Sequence, residues 1–128
     1  MELSRRQKTL LAAGLTLALT LSYCAWHSTW LPPLARDLPA NIEQAEAVFR
    51  DRVRGKFSPG MDESKLIYEL KSQGFGSPIG PLHQYKDVKY VQFSKGSFVC
   101  DVRWTILWHV DQNGKIADVD ATHNATCL

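Results

Sequence analysis

The side chains most able to do chemistry gather late in the chain. Of three cysteines, Cys100 and Cys127 lie in its last third, and Cys24 lies alone near the start. His109 stands close in sequence to Asp111, Asp118 and Asp120. A histidine among carboxylates is a set that can hold a divalent cation or act as a base. Asn124-Ala125-Thr126 is an acceptor triplet for N-glycosylation, with meaning only in a eukaryotic secretory pathway. No Gly-x-Ser-x-Gly, His-Glu-x-x-His, phosphate loop or Cys-x-x-Cys occurs. With so thin an inventory no catalytic residue and no cofactor are assigned, and an enzyme is not expected.

What these residues can do depends on the strands that carry them. From Cys100 to Val110 every alternate residue is apolar: Cys100, Val102, Trp104, Ile106, Trp108 and Val110. That period of two marks a long strand with one buried and one wet face. Asn113-Gly114 is a strong hairpin signal, and Ala117, Val119, Ala121, His123, Ala125 and Cys127 alternate after it. A two-residue turn at Asn113-Gly114 pairs residues whose numbers sum to 227. It sets Val110 opposite Ala117, Trp108 opposite Val119, Ile106 opposite Ala121 and Trp104 opposite His123. A three-residue turn from Asp111 to Gly114 gives 226 and sets Trp108 opposite Asp118, so facing polarity favours 227.

In that register Cys100 faces Cys127. Directly opposed strand residues have Cα atoms about 4.5–5.5 Å apart, within reach of a disulfide. Counting from a two-residue turn makes the cysteines a hydrogen-bonded pair. His109 falls opposite Asp118 on the polar face, with Asp111 and Asp120 nearby. These four residues are the metal candidates, against the alternative of a solvated edge beside a polar turn. A strand over residues 85–93 joins through Ser94-Lys95-Gly96, a turn that puts Val88 and Tyr90 on the core face with Cys100 and Val102.

Two helices precede the strands. Asn41 caps the first, with Gln44 three residues on, and Ile42, Ala45, Phe49 and Val53 recur at helical spacing up to Gly55. Arg50, Arg52, Arg54 and Lys56 then cluster where cations favour the helix C-terminus. Asp62 caps the second, whose apolar face is Leu66, Ile67 and Leu70 and which ends at Gly74.

The start of the chain is an address. Arg5, Arg6 and Lys8 precede a stretch from Thr9 to Ala35 with no charged residue, long enough to cross about 30 Å of hydrocarbon as a helix. Basic residues stay cytoplasmic, so the domain is expected outside. Trp26 and Trp30 sit where indoles favour the membrane boundary, and Pro32-Pro33 stops the helix. A cleaved signal needs small residues before the cut, and a lipoprotein signal needs one before its cysteine; Tyr23 and Cys24 fit neither well. The expected organisation is a cytoplasmic tail (1–8), a single transmembrane anchor (9–31), a proline-stiffened linker (32–40) and an exported α+β domain (41–128). That domain should pack two helices on a three-stranded antiparallel sheet. The location is then the inner membrane with the domain in the periplasm, or, if the segment is cleaved, soluble periplasm.

Excluding Arg5, Arg6, Lys8 and Glu2, the remaining chain balances 12 basic against 12 acidic residues. A neutral domain has no footprint for nucleic acid or for anionic lipid.

Helix, helix, three strands, with Gly60-Met61-Asp62 opening the second helix in the stretch GMDESKLIYEL (60–70), resembles small envelope lipoproteins of the SmpA/OmlA type. The resemblance covers the order of elements over residues 41–128 and implies a companion role to the outer-membrane barrel assembly machinery. Asp62 stands where those proteins carry Ser or Thr, and a good lipoprotein cysteine is missing. β-Lactamase inhibitory proteins share the layout, so layout alone does not give function. The expected function is a non-enzymatic module, partnered by the membrane through residues 9–31 and by another envelope protein. The alternative is a small-ligand or divalent-metal-binding domain using the polar sheet face.

Overall fold

A computed structural model describes residues 5–80 and 87–128. The chain divides into two units, residues 1–31 and residues 32–128.

The first unit carries α1 (Arg5–Thr29). Its leucines, among them Leu11, Leu15 and Leu19, are all exposed. Residues 6–25 are long and apolar enough to cross a membrane. Thr16 and Thr20 return their hydroxyls to carbonyls one turn back, Ala12 at 3.0 Å and Thr16 at 3.1 Å, which satisfies them without water. The side chain of Trp26 lies outside the described residues. Trp30 follows the helix and is half-buried.

The second unit contains α2 (Ile42–Lys56), α3 (Glu63–Ser72), β1 (Val88–Gly96), β2 (Cys100–Val110) and β3 (Ile116–Cys127). The sheet is antiparallel in the order β1-β2-β3. Residues of the proline-stiffened linker dock onto the domain. Pro32, Leu34 and Ala35 are buried, and the Arg52 guanidinium donates to the carbonyls of Leu34, Arg36 and Asp37.

α2 begins as its cap residue dictates, with Asn41 Oδ1 accepting from Gln44 N at 3.0 Å. Ala45, Phe49 and Val53 are buried, whereas Ile42 is exposed, and the helix runs through Gly55 to Lys56. Asp62 occupies the N-cap of α3, but its side chain makes no capping bond. It accepts from Lys115 Nζ at 2.6 Å instead, a charged partner that outcompetes a backbone amide. α3 closes with Gly74 at φ +84°, Gly74 N donating to Lys71 O and Phe75 N to Leu70 O. This double bond pattern needs a left-handed residue, and it tucks Phe75 under Leu70.

The β1–β2 register and the β2–β3 turn differ from expectation, while the β2–β3 register beyond the turn is the expected one. The β1–β2 loop is the pair Phe98-Val99, closed by Ser97 N donating to Cys100 O at 2.7 Å and by Ser97 Oγ accepting from Cys100 N at 3.0 Å. Ser94, Lys95 and Gly96 therefore remain in β1. The resulting pairing, Val91 with Ile106 and Phe93 with Trp104, places Val91 and Phe93 on the core face. Val88 and Tyr90 lie on the opposite face, level with His109 and Leu107. The start of the strand expected from Tyr85 falls outside the described residues.

The β2–β3 turn runs from Asp111 to Gly114, which sits at φ +74°. Asp111 N donates to Lys115 O and Gly114 N to Asp111 O, and Asp111 Oδ1 accepts from Asn113 N and Lys115 N. This is a three-residue loop with its glycine in the left-handed region. Left alone, it would hold the 226 register throughout. A bulge at Ala117 corrects it: Val110 pairs with Ile116, not Ala117, and from His109–Asp118 to Cys100–Cys127 the sum is 227. The bulge lets both the Asp111 turn and the matched apolar faces exist in one hairpin. Trp104, Ile106, Trp108, Ile116, Val119 and Ala121 consequently all reach the core.

Candidate functional site

The bulge also decides the setting of the cysteines. Ile116 directs its N–H and C=O away from β2, to Met61 O and from Gly60 N, each at 2.8 Å. Alternation from there makes Cys100–Cys127 a non-hydrogen-bonded pair, the opposite of what a two-residue turn implies. Its Cα–Cα distance of 4.1 Å matches the closer class of strand pair. The two sulfurs are bonded, so the end of the sheet is closed covalently beside the Phe98-Val99 loop. Cys24 is a free thiol on α1.

At that end the side chains are apolar and outside. Phe98 is 97 % exposed, Val99 is 57 % exposed and Leu128 is fully exposed. Leu128 N donates to Val99 O at 3.0 Å, tying the strand end to the loop. A shallow hollow of about 330 Å³ lies here, lined by residues that include Phe98, Val99, Cys100, Arg103, Cys127 and Leu128. Two-residue hairpin loops favour Asn and Gly for conformational reasons. Phe and Val serve no such need, and the fold does not bury them. No turn signal marks them in the sequence; the register alone brings them to the tip.

The polar candidates do not converge. His109 and Asp118 are opposite one another and exposed. Asp111 is spent on the turn amides. Asp120 is held by Arg50 Nε at 2.9 Å and Arg54 at 3.3 Å. A hollow of about 270 Å³ joins His109, Asp118 and Asp120 with Val88 and Leu107. Among the described residues no group of three His, Cys, Asp or Glu side chains is placed to hold a metal ion. The arginines that the sequence suggested as helix-end cations are thus cross-ties: Arg50 also donates to Ala121 O at 3.2 Å, and Lys56 pairs with Glu69 at 3.2 Å.

Two ionisable groups lie inside the domain: Glu63, which no sequence pattern marks, and His123, which stands opposite Trp104 as the strand alternation places it. Glu63, at the start of α3, accepts from Lys89 Nζ at 2.8 and 2.9 Å and from Trp108 Nε1 at 2.9 Å. Burial pushes its carboxyl up, but the bonds from Lys89 and Trp108 and the Lys89 charge outweigh that and leave it below its ordinary value. His123 is buried edge-on to Trp104, ring centroids 5.0 Å apart. Burial lowers its imidazole below the usual range, and the nearby Glu46 charge offsets only part of this. Among the described residues no partner satisfies His123 Nδ1 or Trp104 Nε1.

No protein-family model matches the chain. Neither the curated proteins nor the solved structures contain a match.

Proposed function

We propose that this protein is a membrane-anchored, extracytoplasmic interaction module of the cell envelope, without enzymatic activity. In this reading α1 is an uncleaved signal-anchor, the domain lies in the periplasm, and the tip formed by Phe98, Val99 and Leu128 meets another envelope protein. The observation that carries it is the exposure of this apolar tip on a sheet end closed by a disulfide. Contiguous exposed apolar side chains on a soluble domain mark contact sites, and a covalently closed base limits the ordering cost of binding. The disulfide itself fits an oxidising compartment.

The test is crosslinking in intact cells that express the full chain. The wild-type protein should give an adduct with a second envelope protein. Phe98→Asp should lose that adduct while staying in the membrane fraction with Cys100–Cys127 oxidised. Recovery of no foreign adduct under several crosslinkers, or an adduct indifferent to Phe98→Asp, contradicts the reading.

A further inference from the structure

Most of the sheet's edge is guarded. On the β1 side, Ile79 exchanges backbone bonds with Tyr90 at 2.9 and 3.4 Å, and Gly76 N reaches Gln92 O at 3.3 Å. Beyond them Lys95 stands in the strand, a residue type that discourages strand pairing. On the β3 side, Gly60 and Met61 cover Ile116, and Arg50 covers Ala121 O.

One stretch is bare. Because Cys100–Cys127 is a non-hydrogen-bonded pair, so are Val102–Ala125 and Trp104–His123. The N–H and C=O of His123, Ala125 and Cys127 therefore all point outward, and among the described residues nothing bonds them. Asn124, Ala125, Thr126 and Cys127 are exposed. The stretch contains no charge, no proline and no bulge, the devices by which natural edges avoid pairing.

We infer that this edge pairs with the same edge of a second copy, giving a two-fold dimer whose two sheets join antiparallel about Ala125. The geometry is self-complementary. Ala125 exchanges both backbone bonds with Ala125 of the second copy, and His123 does the same with Cys127. Asn124 falls beside Thr126 on the polar face, where the two side chains can bond. A two-fold sets each residue against its own kind or a near neighbour, so a charge at its centre would face itself. Ala125 at that centre is small and neutral. The disulfide holds the edge to one register, which removes the slippage open to an unpinned strand. The inference rests on the edge alone and is independent of the role of α1 and of the Phe98 tip.

Sedimentation of the full chain in detergent should show a dimer. Ala125→Lys, at an exposed position, should weaken association at least about tenfold through facing like charges, with the disulfide and circular dichroism unchanged. In a Cys24→Ser background, Ala125→Cys should crosslink copy to copy under mild oxidation, since hydrogen-bonded strand neighbours lie within disulfide reach. Ala117→Cys, exposed at the other end of β3, should not. A monomeric wild type at every concentration reached overturns the inference. So does a dimer that Ala125→Lys leaves intact, which would place the interface elsewhere. Capture of Ala125→Cys by a different protein alone also overturns it, and points to a strand donated by a partner.

Discussion

His123 is 8 % exposed and sits against Trp104, and among the described residues its Nδ1 has no hydrogen-bond partner. Its folded pKa lies below the ordinary 6.5, so between those values the unfolded chain binds the proton that the folded domain refuses. Stability is full above pH 6.5 and falls as pH drops through the window below it. His123→Phe keeps the ring contact and removes the titration, so its urea midpoint should change less than wild type between pH 7 and 5. An equal slope in both proteins would show that other groups set the acid sensitivity. Glu63 acts in a lower window: its depressed value gives stability above the ordinary 4.5 that is lost as pH falls through the folded value. Glu63→Ala strands the buried Trp108 Nε1 and should cost about 2 kcal/mol, with Glu63→Gln recovering part of it. The place of His123, opposite Trp104 on the apolar face, was legible in the alternation of the last strand. Glu63 was not, because its partners Lys89 and Trp108 come from two strands far along the chain.

At the scale of elements, the sequence specified the apolar faces more firmly than the turn between them. The alternation from Cys100 to Val110 and from Val119 to Cys127 is visible by inspection, and it led to the Cys100–Cys127 pairing that the structure shows. The turn is less legible because Asn113-Gly114 fits two loop lengths. The choice rests on Asp111, whose carboxylate binds two loop amides, and on Ala117, an alanine with nothing in its side chain to announce a bulge. Gly114 holds φ +74°, so Gly114→Ala should cost about 1 kcal/mol in backbone strain. Deleting Ala117 removes the bulged residue itself, so that His109–Asp118 follows Val110–Ile116 directly and the Cys100–Cys127 pairing should survive. The free-thiol content of the purified protein would report it, and free thiols would contradict this reading of the bulge. β1 was harder still, since Val88, Tyr90, Val91 and Phe93 put apolar groups on both faces and alternation cannot choose between them.

For the whole molecule, the disulfide and the proposed anchor are linked by compartment. Closing the loop between Cys100 and Cys127, 27 residues apart, contributes about 3–4 kcal/mol by loop entropy. The Cys100→Ala/Cys127→Ala double variant should therefore melt at least about 12 °C lower, and so should reduced wild type. The account as a whole depends on where the domain resides. That is tested most directly by labelling an exposed position, Ser94→Cys in a Cys24→Ser background, with a membrane-impermeant maleimide. The label is applied to cells with a permeabilised outer membrane and read by the intact mass of protein extracted from washed membranes. The account predicts a chain that retains residues 9–31 and carries the label before lysis. Labelling only after lysis would put the domain in the cytoplasm, and a mass lacking the N-terminal segment would show that α1 is a removed leader and not an anchor.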